Sequence, residues 1–355
     1  GAALVHYLLT ELNGGLSPYL SVEIDENRKP LLPTGEQVPS ELSAYAVWRS
    51  FGPEGDKSPE KQVWRTEDPM GFGDLPEATR SHEWPVMVDL PKRPDVVVLS
   101  DGGMGFRSKR EAWPEDSVLS DARWIVLKTA EPLAEGDLWK HLNKDVFRSK
   151  LVVIASATGL RKSAAQISIG LSWDAMVESA LNALAPGGEL AALTRCCHLL
   201  VTFGTAGGLW LEMRNPFVQS RVHLVYDADT VEGEYTRPNK GTAFGALSCL
   251  TAAVASYLAR GGNAPDLEAA LEGGLSAIHD LLSNGHGRAA SAGAGFPAGR
   301  LAKVIGKATC RYARTAFNAE VVLSPKCPAS KPPTSGMPCW SVMHEALRQQ
   351  GQSCP

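Results

Sequence analysis

The sequence lacks an uninterrupted apolar run of about 18 residues, the length a helix needs to span a bilayer. Its longest helix-like apolar stretch, Phe244 to Leu258, is broken by Ser248, Thr251 and Ser256. No membrane partner is expected. A basic start followed by an apolar block is also missing, so no secretion signal is read. Basic residues are not in excess: 35 Lys+Arg stand against 39 Asp+Glu, a formal net charge of −4. That removes the electrostatic case for nucleic-acid binding, which rests on a clustered basic surface. The 7 cysteines contain no CxxC spacing. Neither a disulfide framework nor a zinc site is predicted, and the thiols read as those of a reduced, cytoplasmic protein. Three catalytic signatures are missing too. No phosphate loop ends in Gly-Lys-Ser/Thr, no GxSxG elbow occurs, and Gly103-x-Gly105 does not extend to GxGxxG.

What remains is ordinary globular composition. The chain has 355 residues, of which 44% are apolar and 21% charged, enough for two domains or one large α/β unit. The opening Gly1–Leu9 has helical spacing, with Leu4, Leu8, Leu9 and Leu12 on one face. It carries no initiator Met and reads as a region cut from a longer chain with additional domains. Residues 13–85 are poorly periodic, with short strands expected around Ala44–Ser50 and Gln62–Thr66. From residue 95 apolar runs recur. Val96–Leu99, Trp124–Lys128, Leu151–Ala155, His198–Gly204, Gly208–Leu211 and Arg221–Val225 read as strands. Asp137–Asn143, Ser172–Ala185, Gly245–Arg260, Leu267–Leu282 and Phe296–Arg314 read as helices. Alternating buried strands and helices predict an α/β fold with a mostly parallel sheet covered on both sides. Five prolines between 324 and 339 exclude a regular element there, and Trp340–Gln349 is an amphipathic helix candidate. The organisation is therefore 1–94 irregular, 95–323 an α/β core, and 324–355 a tail.

Two stretches carry candidate chemistry. In Lys240–Ala253 a turn of small residues, including Gly241, Gly245, Ala246 and Leu247, leads into a helix. Free N–H groups at a helix start, with the positive dipole end, suit an anion. Close helix packing asks for the same small side chains. In Ser100–Arg107 a strand ends at Asp101-Gly102-Gly103, where parallel sheets bind ligands; a capping Asp in a plain turn is the alternative. Arg161 and Lys162 either meet a phosphate or face water. His198 and His223 read as satisfied strand histidines. Asp227, Asp229 and Glu232 read as a solvated acidic loop.

The serial order of further segments adds a family likeness. Val201-Thr202-Phe203-Gly204-Thr205-Ala206-Gly207 forms a strand–turn unit. Asp229-Thr230-Val231-Glu232-Gly233 precedes a turn. Gly245-Ala246-Leu247-Ser248 opens a helix, and Leu267–Ala277 follows as a second helix. In this order residues 95–305 resemble the ribokinase-like family of carbohydrate and nucleoside kinases. The resemblance implies a three-layer α/β/α sandwich with a central mostly parallel sheet. It implies ATP and Mg²⁺ as cofactors, with nucleotide contacts at Thr202, Gly204, Gly207, Gly241, Gly245, Ala246 and Leu247. It implies a small-molecule acceptor, a sugar or nucleoside, beside Asp101, Gly102 and Gly103. The catalytic position falls on Ser248, where the family carries an Asp that takes the acceptor proton. A hydroxyl without an adjacent base does not replace that carboxylate, and Leu247 stands where the family has Gly. Two readings follow: a phosphotransferase acting on a sugar or nucleoside hydroxyl, or a non-catalytic ligand-sensing or interaction module of the same fold.

Overall fold

Apolar runs too short for helices and rich in Val, Ile and Leu become strands when both their faces are covered. In the computed structural model those runs build one seven-stranded sheet. The structure describes residues 5, 9, 46–49, 61–64, 93–101, 110, 113–129, 136–164, 167, 173–214, 219–227, 246–262, 264–283, 312–323, 343 and 347. A separate antiparallel pair, β1 (Ala46–Arg49) and β2 (Lys61–Trp64), lies where short strands were expected. The main sheet contains β3 (Val96–Asp101), β4 (Trp124–Thr129), β5 (Leu151–Ser156), β6 (His198–Thr202), β7 (Gly207–Arg214), β8 (Gln219–Asp227) and β9 (Tyr312–Asn318), in that spatial order. β3 to β6 are parallel, and β6 to β9 are antiparallel. The sheet is thus mixed, and the expected parallel arrangement holds across its first four strands.

The order decides where the helices go. Parallel strands laid down one beside the next, by crossovers of one hand, place every connecting helix on the same face. These helices are α1 (Asp116–Asp121), α2 (Asp137–Leu142), α3 (Asp145–Arg148), α4 (Ala157–Ser163) and α5 (Trp173–Leu184). Their Leu119, Leu142, Phe147, Leu160 and Leu181 join Ile125, Val153 and Leu199 of the strands in a first core. α6 (Ala246–Gly261) and α7 (Leu267–Ser283) cover the other face, where Leu250, Leu258 and Leu271 meet Val126, Ile154 and Leu200 in a second core. Three layers result. β5 is buried along Leu151–Ala155 because both layers press on it.

The small residues of α6 serve packing. Ala252 and Ala253 are fully buried, and a Cβ on Gly274 of α7 would lie 2.4 Å from Leu250 Cδ1. Close approach of the two helices therefore accounts for much of this composition. Local signals set the helix starts: Ser156 Oγ accepts from Gly159 N at 3.0 Å, and Asp266 Oδ1 from Ala269 N at 2.9 Å. Among the described residues no helix is long and apolar enough to cross a membrane.

One expected helix is corrected. Residues 312–314, read as the end of Phe296–Arg314, begin strand β9 instead. Burial alternates along β9, and among the described residues β8 is the one strand bonded to it. Such an edge strand has no continuous apolar run to betray it. Residues 296–311 lie outside the described ones. α8 (Ala319–Leu323) follows β9 and packs Val322 into the first core. Met343 and Leu347, one helical turn apart, are helical and buried in that same core. They are the described part of the expected Trp340–Gln349 helix.

Candidate functional site at the carboxyl edge of the sheet

Because β3 to β6 run parallel, their carboxyl ends share one edge. β8, two antiparallel steps from β6, ends there as well. The edge therefore gathers Asp101, Lys128, Thr129, Ser156, Thr202 and Asp227. Side-chain alternation then divides them between the two faces.

Asp101 faces the α1–α5 layer. It is 3% exposed and accepts a hydrogen bond from Thr129 Oγ1 at 3.1 Å. It closes strand β3, and Gly102 and Gly103 lie outside the described residues. Lys128, one residue before Thr129, faces the opposite layer. Its Nζ donates to Ser248 Oγ, in the first turn of α6, at 2.8 Å. Burial lowers the Lys128 ammonium to about 8, an effect partly offset by the neighbouring Cys249. Ser248 is 3% exposed. Ala246 and Leu247 are partly buried and pack on the second core. Gly241 and Gly245 lie outside the described residues.

The β6–β7 hairpin explains three further candidates. Thr202 Oγ1 accepts from Gly204 N at 3.2 Å, which folds the chain back on itself. Gly204 has φ +74° with nothing within 4 Å of a virtual Cβ. Gly207 is held differently: a Cβ there would lie 2.3 Å from Val225 O and 2.8 Å from the Trp173 ring. Thr202, Gly204 and Gly207 thus shape the turn. Asp227, expected in a solvated loop, is corrected. It ends β8, is 5% exposed, and its N–H donates to Ala206 O at 3.0 Å. Asp229 and Glu232 lie outside the described residues. Arg161 is exposed.

The structure therefore joins Ser248 to Lys128, places Asp101 on the other face of the sheet, and places the Thr202–Gly207 turn on the same edge. Sequence reasoning missed Lys128. The available signal was a lysine closing the apolar run Trp124–Leu127 in a strand buried on both faces.

A second polar cluster lies toward the opposite end of the strands, beneath α7. His223 Nδ1 meets Glu268 Oε1 at 2.5 Å, and its Nε2 meets Glu212 Oε2 at 3.3 Å. Trp210 stacks on His223 at 4.1 Å between ring centroids and donates Nε1–H to His198 Nδ1 at 3.1 Å. Both histidines have the satisfied strand environments their apolar neighbours predicted. The cluster ties α7 to the sheet. Among the described residues no group of three or more His, Cys, Asp or Glu is arranged to hold a metal ion.

No protein-family model matches the sequence, and no curated protein matches it. Among solved structures, a pyridoxal kinase from Staphylococcus aureus, in complex with AMP-PCP and pyridoxal, aligns with 64% of this chain and 73% of its own. The TM-score is 0.34 and the identity 11%, a likeness too small to assign a site. The fold and its edge define an α/β three-layer protein with a buried serine bonded to a half-buried lysine at the carboxyl end of a parallel strand.

Proposed function

We propose that the chain is a ribokinase-like domain that binds a phosphorylated small molecule at the start of α6, with ATP as the leading candidate. In this reading it does not transfer the phosphoryl group by a carboxylate base. The observation that carries the reading is the partner of Ser248: a lysine, Lys128, where phosphotransfer would need a proton acceptor of carboxylate type. A cation beside the N–H groups of a helix start suits a phosphate. Thr202, Gly204, Gly207, Gly241, Gly245, Ala246 and Leu247 are the proposed surroundings of the nucleotide. Asp101, Gly102 and Gly103 are the proposed edge for a sugar or nucleoside.

Lys128 and the α6 start fit the anionic part of ATP. For Mg²⁺ the described residues supply no carboxylate cluster, and no step is assigned to it. The proposed unit is 95–323, working in the cytoplasm as a ligand-sensing or interaction module of a longer chain.

The second reading, an active phosphotransferase, draws support from the buried carboxylates Asp101 and Asp227 at the same edge. Incubation with Mg-ATP and a panel of sugars and nucleosides separates the two. The module reading expects no acceptor-dependent ADP formation. Acceptor-dependent turnover that survives Ser248→Ala and is lost in Asp101→Asn or Asp227→Asn would establish the kinase instead.

A further inference from the structure

Lys128 is a half-buried lysine whose hydrogen-bond partner is a hydroxyl. It is the penultimate residue of β4, between four buried residues and the buried Thr129. In register it lies between Ser100 of β3 and Ile154 of β5. From α6 it meets Ser248 and Cys249. Asp101, on the neighbouring strand, faces the other layer beside Thr129. Among the described residues no carboxylate pairs with the Lys128 ammonium. Buried lysines are ordinarily paired, because desolvation penalises the charged form.

The consequence is an amine that is partly neutral near pH 8, able to accept a proton from the hydroxyl 2.8 Å away. Ser248 lies in the first turn of α6, where the leading N–H groups have no intrahelical acceptor. Such donors, with the positive end of the helix dipole, stabilise a developing oxyanion. Nucleophile, base and oxyanion donors thus come from two elements, β4 and α6.

We propose that Ser248 is a nucleophile and Lys128 its general base, forming an acyl-transfer site for small carboxylic esters. Neutral Lys128 Nζ takes the hydroxyl proton as Ser248 Oγ bonds to the carbonyl carbon. The resulting oxyanion faces the N–H groups of the α6 start. Its collapse breaks the bond to the alkoxy or aryloxy group, which leaves with the proton held by Lys128. Water then attacks the acyl-serine by the same route, releasing the carboxylic acid and restoring Ser248. The burial of Ser248 restricts the acyl group to a small one such as acetyl. This site shares Lys128 and the α6 start with the proposed phosphate site but does not rest on that reading: the ester reaction uses the neutral amine, the phosphate the ammonium, and the ester readout contains no nucleotide.

The test is incubation of the full chain with p-nitrophenyl acetate across pH 6.5 to 9.5, approximately bracketing the Lys128 titration. Nitrophenolate release is followed, and the acetylated residue is mapped in quenched samples. The expected result is acetyl on Ser248, formed at a rate that rises through about pH 8 and then levels. Lys128→Met lowers that rate by about 100-fold or more, and Ser248→Ala abolishes the label. Acetyl on Lys128 with Ser248 unmodified overturns the assignment. So does a rate without an inflection near pH 8, a result read on the unaltered chain whatever the variants' folding. Labelling of Lys128→Met at the wild-type rate overturns it as well.

Discussion

Lys128 Nζ and Ser248 Oγ are 2.8 Å apart across a sequence separation of 120 residues. The contact joins the carboxyl end of β4 to the first turn of α6. It also removes an ammonium from much of its water, with a hydroxyl and no carboxylate beside it among the described residues, which makes stability depend on pH. An unfolded lysine titrates near 10.5 and the folded one near 8. Between those values the unfolded chain holds the extra proton, so stability rises with pH through that window. Below pH 8 both states are protonated and the whole burial penalty, on the order of 3 kcal/mol, is present. Lys128→Met is therefore expected to be more stable than wild type at pH 7, less about 1 kcal/mol for the lost hydrogen bond. The advantage shrinks as pH rises toward 10. Urea unfolding midpoints of both proteins from pH 7 to 10 check this; parallel curves would contradict it.

The imidazole of His223 separates two carboxylates, Glu212 on β7 and Glu268 on α7. Replacing it by Ala leaves both without their shared partner and removes the stack on Trp210. A loss of about 2–4 kcal/mol is expected, since breaking a buried pair strands the remaining charge. Adding Glu268→Gln to His223→Ala should recover part of it. Denaturant unfolding of the two single variants and the double variant measures the coupling.

The two turn glycines should respond differently. Gly204→Ala meets no atom and bears only the conformational cost of φ +74°, about 1 kcal/mol. Gly207→Ala drives a methyl into Val225 O and Trp173, with a cost of about 3 kcal/mol or more. Thermal or urea unfolding ranks them; equal losses would refute the packing account of this hairpin.

Burial pushes the thiol of Cys196 well above its ordinary value, and that of Cys197 up to about 11 with a further contribution from Glu212. Thiolate is the reactive form. Iodoacetamide at pH 8 should spare both residues in the folded protein and modify both in denaturant, as read by peptide mass mapping.

The strands of the first core were legible because residues covered on both faces must be apolar, and Leu151–Ala155 is a continuous run of that kind. Asp266 before α7 and the apolar face of α5 were legible for similar local reasons. β9 was not, because an edge strand with alternating exposure and a central Arg314 has helix-compatible composition. Arg314 also pairs with Glu272 of α7, a contact no local pattern announces. Ser248 stood out by position in the chain, but its chemistry depends on Lys128, and only the fold brings the two together. Asp227 was misjudged because β8 runs two residues past the apolar Val225, to a position bonded to Ala206 and in register with Tyr312 of the unforeseen β9.

The central claim is that a phosphorylated ligand binds where Lys128 meets the start of α6. Calorimetric titration of Mg-ATP and Mg-ADP into the full chain and into Lys128→Met tests it most directly. The account predicts saturable binding by the wild type, weakened about 10-fold or more in the variant, as loss of a charge-assisted hydrogen bond requires. Absence of binding at millimolar nucleotide, or equal affinity in the two proteins, would contradict it.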